Sequence, residues 1–412
     1  MPEFLHLIPP SEALDRLFKA LPESFQAEGE QVFTEDALGR VLAASVSAPH
    51  PLPPFARSTV DGYSLHAVDT YGATPSLPSY LKLIGEVHMG TSTEIAVGSG
   101  QAALVHTGGM IPEGADGVVK IEDTQAVGED EIEVLKPVAG GENILTVGED
   151  VRAGNIVMEA GVWLRPQEIG GLMALGVTEV LVARRPRVGI ISTGDEVVPP
   201  DAEVSPGQIR DINSYALSAL ISRSGGEPIR RGIIPDRYVE LLQTAQHAHS
   251  QDDIVVITAG SSVSIRDITG DVISALGEPG VLVHGVSIKP GKPTILAVAD
   301  RVPMIGLPGN PVSALVVAGL FVVPLIRRWL GLKDPAIHPT IHAHLAINVV
   351  SETGREDYLP VRLVPTEEGF SAEPIFGRSN LIFTLVRADG LVRIPSEATG
   401  LSEGTEVQVI LF

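Results

Sequence analysis

The sequence predicts an α/β multidomain protein: a doubly wound parallel-sheet domain joined to a β-rich insert, a small helical/β connecting domain and a C-terminal β-barrel domain. Three observations predict it. From Pro186 onward apolar strand-like runs alternate with helical segments; from about residue 60 to 165 short apolar alternations are broken by Gly and acidic turns; and after about residue 335 only short strand patterns remain. With 412 residues the chain exceeds one compact core, and 44% hydrophobic residues with 43 Gly and 32 Pro describe a folded chain rich in tight turns.

In "SEALDRLFKAL", Leu14, Leu17, Phe18 and Leu21 recur at helical spacing behind Ser11, which predicts an amphipathic helix. "PHPLPPFARS" (Pro49–Ser58) breaks all periodicity, because each proline fixes its φ and pushes its predecessor towards extended structure, so a domain boundary is placed there. "LKLIGEV", "AALVHTGG", "DGVVKIED" and "NIVMEAG" supply the β-rich stretch. "RPQEIGGLMALGV" (Arg165–Val177) resumes a helical pattern and is expected to pack back on the first helix, making one discontinuous domain. "RVGIISTGDE", "IRRGIIPD", "DDIVVITAGSS", "GVLVHGVSI" and "VPMIGLPGN" then read as strands, separated by the helices "SYALSALISRSGG", "RYVELLQTAQHA" and "ITGDVISALG". "TIHAHLAINV", "DYLPVRLVP", "GLVRIP" and "EVQVILF" close the chain as strands of a small barrel or sandwich. The partition is therefore 1–50 with 145–183 as a connecting domain, 51–144 as the insert, 184–332 as the α/β domain and 333–412 as the last domain.

A formal charge of −22 argues against nucleic acid or an anionic membrane surface, both of which need a basic patch. The absence of cysteine removes disulfides, thiolate catalysis and Cys-ligated zinc, and suits a reducing compartment. The N-terminus has no basic region followed by an apolar core, so no signal peptide is expected and the cytoplasm is the expected location. The longest apolar run, "PVSALVVAGLFVVPLI", is shorter than the roughly 20 residues that span a bilayer, carries Pro324 inside it, and reads as a buried helix.

Ligands of open parallel sheets bind beyond the C-terminal strand ends, where loops expose backbone N–H groups. Four small, polar turns fall there: Ser192-Thr193-Gly194-Asp195-Glu196, Pro235-Asp236, Thr258-Ala259-Gly260-Ser261-Ser262 and Leu307-Pro308-Gly309-Asn310-Pro311. Glycines let the backbone approach a phosphate and hydroxyls add donors, although no P-loop pattern is present. Asp195, Glu196, Asp236 and Asp267 on the same edge would repel such a ligand unless a divalent cation bridged them, and hard oxygen ligands suit Mg²⁺. The close His pairs of "HAHS" and "HAH" read as surface residues. In "GVSIKPGKPTILAV", Pro290 and Pro293 stiffen a loop that Gly291 lets turn, so that Lys289 and Lys292 present fixed positive charge to an oxyanion. From the residues alone the chain binds an anionic, phosphate-bearing ligand with Mg²⁺.

Seven segments, "PPFARSTVDGYSLHA", "HTGGMIPEGADGVVKIED", "VGEDVRAGNIV", "VGIISTGDEVV", "GQIRDINSYAL", "SIKPGKPT" and "GLPGNPVSAL", resemble in order the motifs of the MoeA family of molybdopterin molybdenumtransferases, also seen as the C-terminal domain of gephyrin. The resemblance covers nearly the whole chain. It implies a four-domain homodimer with a MogA-like α/β domain, and an enzyme that inserts molybdenum from molybdate into adenylylated molybdopterin with release of AMP and Mg²⁺ present. By resemblance Asp61 is an essential aspartate on the partner-facing side and Asp150 a further family acid. Glu196 and Asp267 would lie on the metal side with Asp236 in the cleft, while Lys289 would hold molybdate with Ser379 joining it from the last domain. Three departures accompany the match: Ser264 stands for a family glycine, Gly285 for a second lysine of some members, and the family arginine aligns near Pro360, leaving Arg362 or Arg355 as substitutes. A separate adenylyltransferase would supply the substrate. The alternatives are a scaffold or binding protein on the same fold, as gephyrin suggests, and a nucleotide-pyrophosphate hydrolase.

Overall fold

The computed structural model describes residues 7–23, 25–259, 263–332 and 339–412, with the backbone alone for 263–267. At its centre is a six-stranded sheet in the order Glu227–Ile234, Arg187–Thr193, Ile254–Ala259, Val302–Pro308, Ile295–Ala299 and Pro279–His284. The first four strands are parallel. Helices cover both faces, and the strand residues sort between them by the two-residue period of the pleat. Val188, Ile190, Val256 and Leu307 join Leu217, Ile221 and Phe321 on one side. Ile191, Val255 and Ile257 join Leu241, Ala245 and Ile273 on the other. A strand buried on both faces reads as an unbroken apolar run, which is why "RVGIIST" and "IVVITA" carry no alternation.

The doubly wound sheet is completed by one antiparallel strand, Ile295–Ala299. Its cause is local. Only Asp300 and Arg301 separate it from Val302–Pro308, with φ of 41° and 82°, and a two-residue turn with two positive φ values joins antiparallel neighbours only.

The first helix, Pro10–Ala20, does not pack on the helix Pro166–Ala174. Its Ala13 and Leu17 enter the core of the α/β sheet, whereas Leu172 lies in a separate core with Ala37, Leu42, Leu164, Val180 and Val182. Amphipathicity marks the buried stripe of a helix without naming the surface that covers it. The two stretches of the connecting region meet through strands instead: Gly29–Phe33 pairs with Glu179–Ala183 and Val46–Ser47 with Ile156–Met158, both antiparallel. The insert forms a six-stranded sheet in the order Gly117–Lys120, Gly62–Leu65, Gln101–Val105, Ser79–Val87, Glu131–Val134 and Thr124–Val127.

The apolar run near residue 311 is a buried helix that continues through Pro324 rather than being broken by it. Segments Pro311–Val317 and Val323–Trp329 are α-helical, joined by a π-turn over Ala318–Val322. The wider turn accommodates the ring and the missing N–H of Pro324. This helix is long and apolar enough to cross a membrane, yet 67% of its most apolar window is buried inside the fold, with Val317, Phe321, Val322 and Leu325 in the sheet's core.

The last domain closes on itself. Strand Glu356–Thr366 pairs with Gly369–Pro374 along one half and with Gly390–Ile394 along the other; Thr340–Leu345 and Glu406–Leu411 complete a five-stranded barrel. A short strand of the α/β domain, Ile288–Lys289, adds to Glu356–Asp357 in parallel, coupling the two domains through backbone hydrogen bonds.

Candidate functional site

Register places the predicted turns together. Thr193 lies level with Ile234, Ser192 with Thr258 and Ala259 with Pro308, so the four strand ends leave the sheet at one edge. A fifth connection leaves there too. Strand Pro279–His284 runs in the same sense as its second neighbour Val302–Pro308, and His284, Ile295 and Gly306 are level, so the lysine loop departs beside Pro308-Gly309-Asn310. The loop is closed on itself: the Val286 N–H donates to the Lys292 carbonyl at 3.0 Å, the Gly285 N–H to the Thr294 carbonyl at 2.8 Å, and the Thr294 hydroxyl to the Gly291 carbonyl at 2.6 Å.

Between this loop and the barrel lies a cleft of about 750 Å³. Lys289, Pro290, Lys292, Gly309, Asn310 and Ser379 all border it. Asn213 holds the Gly309 carbonyl from its Nδ2 at 2.8 Å, and Asn310 donates from Nδ2 to the Ser379 hydroxyl at 3.0 Å. The Val312 N–H donates to the Ser379 carbonyl at 3.1 Å, so the serine of the barrel domain is docked on the last strand turn of the α/β domain.

Sequence reasoning had not placed Asp357, Tyr358 or Arg378 here; all three border the cleft, as does Arg355. The Asp357 carboxylate, 9% exposed, receives Lys289 Nζ at 3.7 Å and the Arg355 Nε–H at 2.9 Å. Arg355 also meets Glu352 at 2.8 Å. Burial, first, and the charge of Glu356 push the Tyr358 phenol up, so it remains a neutral donor to Glu356 at 2.9 Å. Arg362 is not on the cleft. It faces Glu373 across the barrel ladder and donates to it at 2.8 Å, so of the two substitutes for the arginine that aligns near Pro360, only Arg355 is on the wall. In a strand two residues move a side chain some 7 Å, which residue type alone does not reveal.

The acidic residues form a second group at the first two strand ends. Gly194 has φ +145°, and Glu196 folds back over it: a Cβ there would lie 2.8 Å from Glu196 Oε2. The Asp236 N–H approaches Asp195 Oδ1 at 3.4 Å, and the Thr193 hydroxyl donates to the Thr258 carbonyl at 3.2 Å. Burial, first, and repulsion from Glu196 and Asp195 raise the Asp236 carboxyl above its ordinary value, against the Thr193 hydroxyl, which lowers it. Asp236 Oδ1 is buried without a hydrogen-bond partner. Gly260, Ser261 and Ser262 lie outside the described residues, as do the side chains of Ser264 and Asp267, although the backbone of Asp267 is in the helix Val263–Ser274.

Asp61 and Asp150 do not border the cleft. Asp150 is exposed and donates its N–H to the Leu52 carbonyl at 3.1 Å. Asp61, in the turn before Gly62–Leu65, accepts from the Thr107 N–H at 2.7 Å and the Thr107 hydroxyl at 3.1 Å, with His106 Nδ1 at 3.8 Å. These two donors, the backbone one first, hold the Asp61 carboxyl below its ordinary value, helped by His106. Thr107→Val keeps the backbone donor and removes the hydroxyl, so the Asp61 titration should move part of the way back up. The sign follows from a folded value depressed below the unfolded one: the interaction is present above the ordinary carboxylate range and is lost as pH falls through the folded value. NMR titration of the Asp61 carboxyl carbon in both proteins checks it, and an unmoved midpoint would remove Thr107 Oγ1 as a partner.

The geometry has matching relatives. Three family models match in order: the MoeA N-terminal region (domain I and II) over residues 8–176, a probable molybdopterin binding domain over 189–328, and the MoeA C-terminal region (domain IV) over 342–412. The molybdopterin molybdenumtransferase of Bacillus subtilis is 32% identical over 98% of this chain and 94% of its own length. The chain belongs to the MoeA family. The molybdopterin molybdenumtransferase of a Nostoc species is also 32% identical, over 96% of this chain and 91% of its own. Among solved structures, a molybdopterin biosynthesis MoeA protein of Pyrococcus horikoshii OT3 superposes with a TM-score of 0.86 at 34% identity, over 98% of this chain and 100% of that one. The doubly wound domain is thus the MogA-like domain of a MoeA fold, and the cleft lies between it and the family's domain IV.

Proposed function

We propose that this MoeA chain is a molybdopterin molybdenumtransferase of molybdenum cofactor biosynthesis, taking adenylylated molybdopterin and molybdate and releasing AMP. The observation that carries the reading is the cation-lined cleft, in a chain of net charge −22, bordered by Lys289, Lys292, Arg355, Arg378 and the Ser379 hydroxyl. A tetrahedral dianion entering it exchanges water for charged donors, which favours the oxyanion. Lys289 shares Asp357 with Arg355, so an incoming dianion can draw the ammonium away while the buried carboxylate keeps a partner. Positioning of molybdenum beside the dithiolene sulfurs is then the work of Lys289 and Ser379.

The acidic group suits Mg²⁺. Asp236 carries a buried oxygen without a partner and feels the charges of Asp195 and Glu196. Mg²⁺ keeps much of its shell as water and substrate phosphate, so few protein carboxylates suffice. Glu196 and Asp236, with Asp267 by the resemblance, would hold it, and a cation bound there would supply charge neutralisation to the pyrophosphate of the substrate. Asp61 and Asp150 lie off the cleft of their own protomer, which supports a homodimer in which they face the partner's site. The substrate must come from a reaction that transfers AMP to the molybdopterin phosphate, and the cytoplasm is where we place both steps.

AMP release from adenylylated molybdopterin with Mg²⁺, measured with and without molybdate, tests the reading. Release that requires molybdate is the expected result. Equal release without it would indicate a nucleotide-pyrophosphate hydrolase, and no release a binding protein.

A further inference from the structure

We propose that Arg378 is an additional oxyanion-binding residue of this cleft, its guanidinium contacting a tetrahedral dianion beside Lys289 and Ser379; the inference rests on the molybdate reading above. Four cations border the cleft, and they are not equivalent. Arg355 is held by the carboxylates of Glu352 and Asp357 at 2.8 and 2.9 Å, which fixes it and neutralises much of its field. Lys289 shares the same Asp357 at 3.7 Å. Arg378 is exposed on the cleft wall, and among the described residues no carboxylate lies within ion-pair distance of it. Lys292 is likewise unpaired there, but a lysine offers a point charge, whereas a guanidinium offers two parallel donors that match two oxygens of one tetrahedral anion.

The position of Arg378 is fixed although its side chain is free. The residue that follows it is pinned to the α/β domain through Asn310 Nδ2 to the Ser379 hydroxyl and the Val312 N–H to the Ser379 carbonyl. Its own carbonyl accepts the Leu381 N–H at 3.0 Å, closing the turn. The guanidinium therefore swings from an anchored backbone one residue away from the serine. Leu359 and Pro360, also on the wall, offer no side-chain donor, and Arg355 is already held by two carboxylates, which leaves Arg378 as the unpaired guanidinium of the cleft among the described residues. Arg355 then serves as a positioning residue that holds Asp357, and through it the resting place of Lys289.

The same chemistry could recognise a free tetrahedral dianion or a phosphate of the nucleotide-bearing substrate, and the test separates them. In the full-length protein, Arg378→Ala and Arg378→Lys are compared with the parent in molybdate-dependent AMP release and in calorimetric titration with molybdate alone. Loss of one charge-assisted contact should raise the KM for molybdate, and its dissociation constant, about tenfold or more. The KM for adenylylated molybdopterin should stay within about twofold. Arg378→Lys should recover part of the loss, because charge returns without the fork. An unchanged molybdate affinity in Arg378→Ala overturns the proposal, and so does a rise confined to the KM of adenylylated molybdopterin, which would assign Arg378 to phosphate. If the parent binds molybdate but releases AMP without needing it, the proposed transferase function fails while the titration still decides Arg378.

Discussion

Lys289→Ala is expected to lower molybdate-dependent AMP release by about two to three orders of magnitude, the usual consequence of removing one donor from an oxyanion site. The Lys289 side chain is 60% exposed and its backbone is fixed by the parallel pairing of Ile288–Lys289 with Glu356–Asp357, which the substitution leaves in place. Asp357, almost buried, keeps Arg355 as a partner at 2.9 Å, so no unpaired buried charge is created. The variant should therefore melt within a few degrees of the parent and lose activity by losing the anion. Steady-state kinetics at saturating adenylylated molybdopterin, together with a thermal melt, checks both halves. An active variant would remove the lysine from the anion site, and a large loss of stability would make it a structural residue.

Gly291→Ala is expected to destabilise the α/β domain by about 3 kcal/mol and to displace the lysine loop. Gly291 has φ +118°, which side-chain-bearing residues rarely adopt, at a cost of roughly 1–3 kcal/mol. A Cβ would also sit 2.4 Å from Val317 Cγ2 and 2.9 Å from Ile288 Cδ1, both buried in the main core, and overpacking adds about 1–3 kcal/mol. The loop cannot retreat cheaply, because the Gly291 carbonyl accepts from the buried Thr294 hydroxyl at 2.6 Å. A melting temperature lowered by several degrees, with reduced molybdate affinity in the remaining folded protein, is the expected result. A melt like the parent's would show that the loop turns without needing glycine at this position.

Much of this was legible in the sequence because it is written in local periodicity and turn chemistry. Alternating apolar strand and helix runs announced the doubly wound sheet, and the Gly-containing turns were expected at one edge of it, where register places them. The lysines of "KPGK" stood out as fixed cations, and both border the cleft. The antiparallel strand Ile295–Ala299 was missed although its signal was local: two residues between apolar runs leave no room for a crossover. Other features had no local signal. Helix Pro10–Ala20 shows an apolar stripe that fits any apolar partner, and only the folded chain seats it on the α/β sheet. Arg355 and Arg362 are chemically identical in sequence, and only the folded domain puts one on the cleft wall and pairs the other with Glu373 across the ladder.

Residue order by itself determined the α/β class, the succession of a β-rich insert, a doubly wound domain and a β-stranded end, the strand-end turns and the lysine loop. Each is set by contacts within a few residues, by fixed φ values and by the spacing of apolar side chains. Only the tertiary structure decided that Lys289, Asn310, Ser379 and Arg378 share one cleft, which of the arginines there has no carboxylate among the described residues, and that Asp61 stands apart from it. Those depend on contacts between distant residues, such as Asn310 with Ser379 69 positions apart, fixed by strand register and domain docking, and neither is encoded in the composition of any single segment.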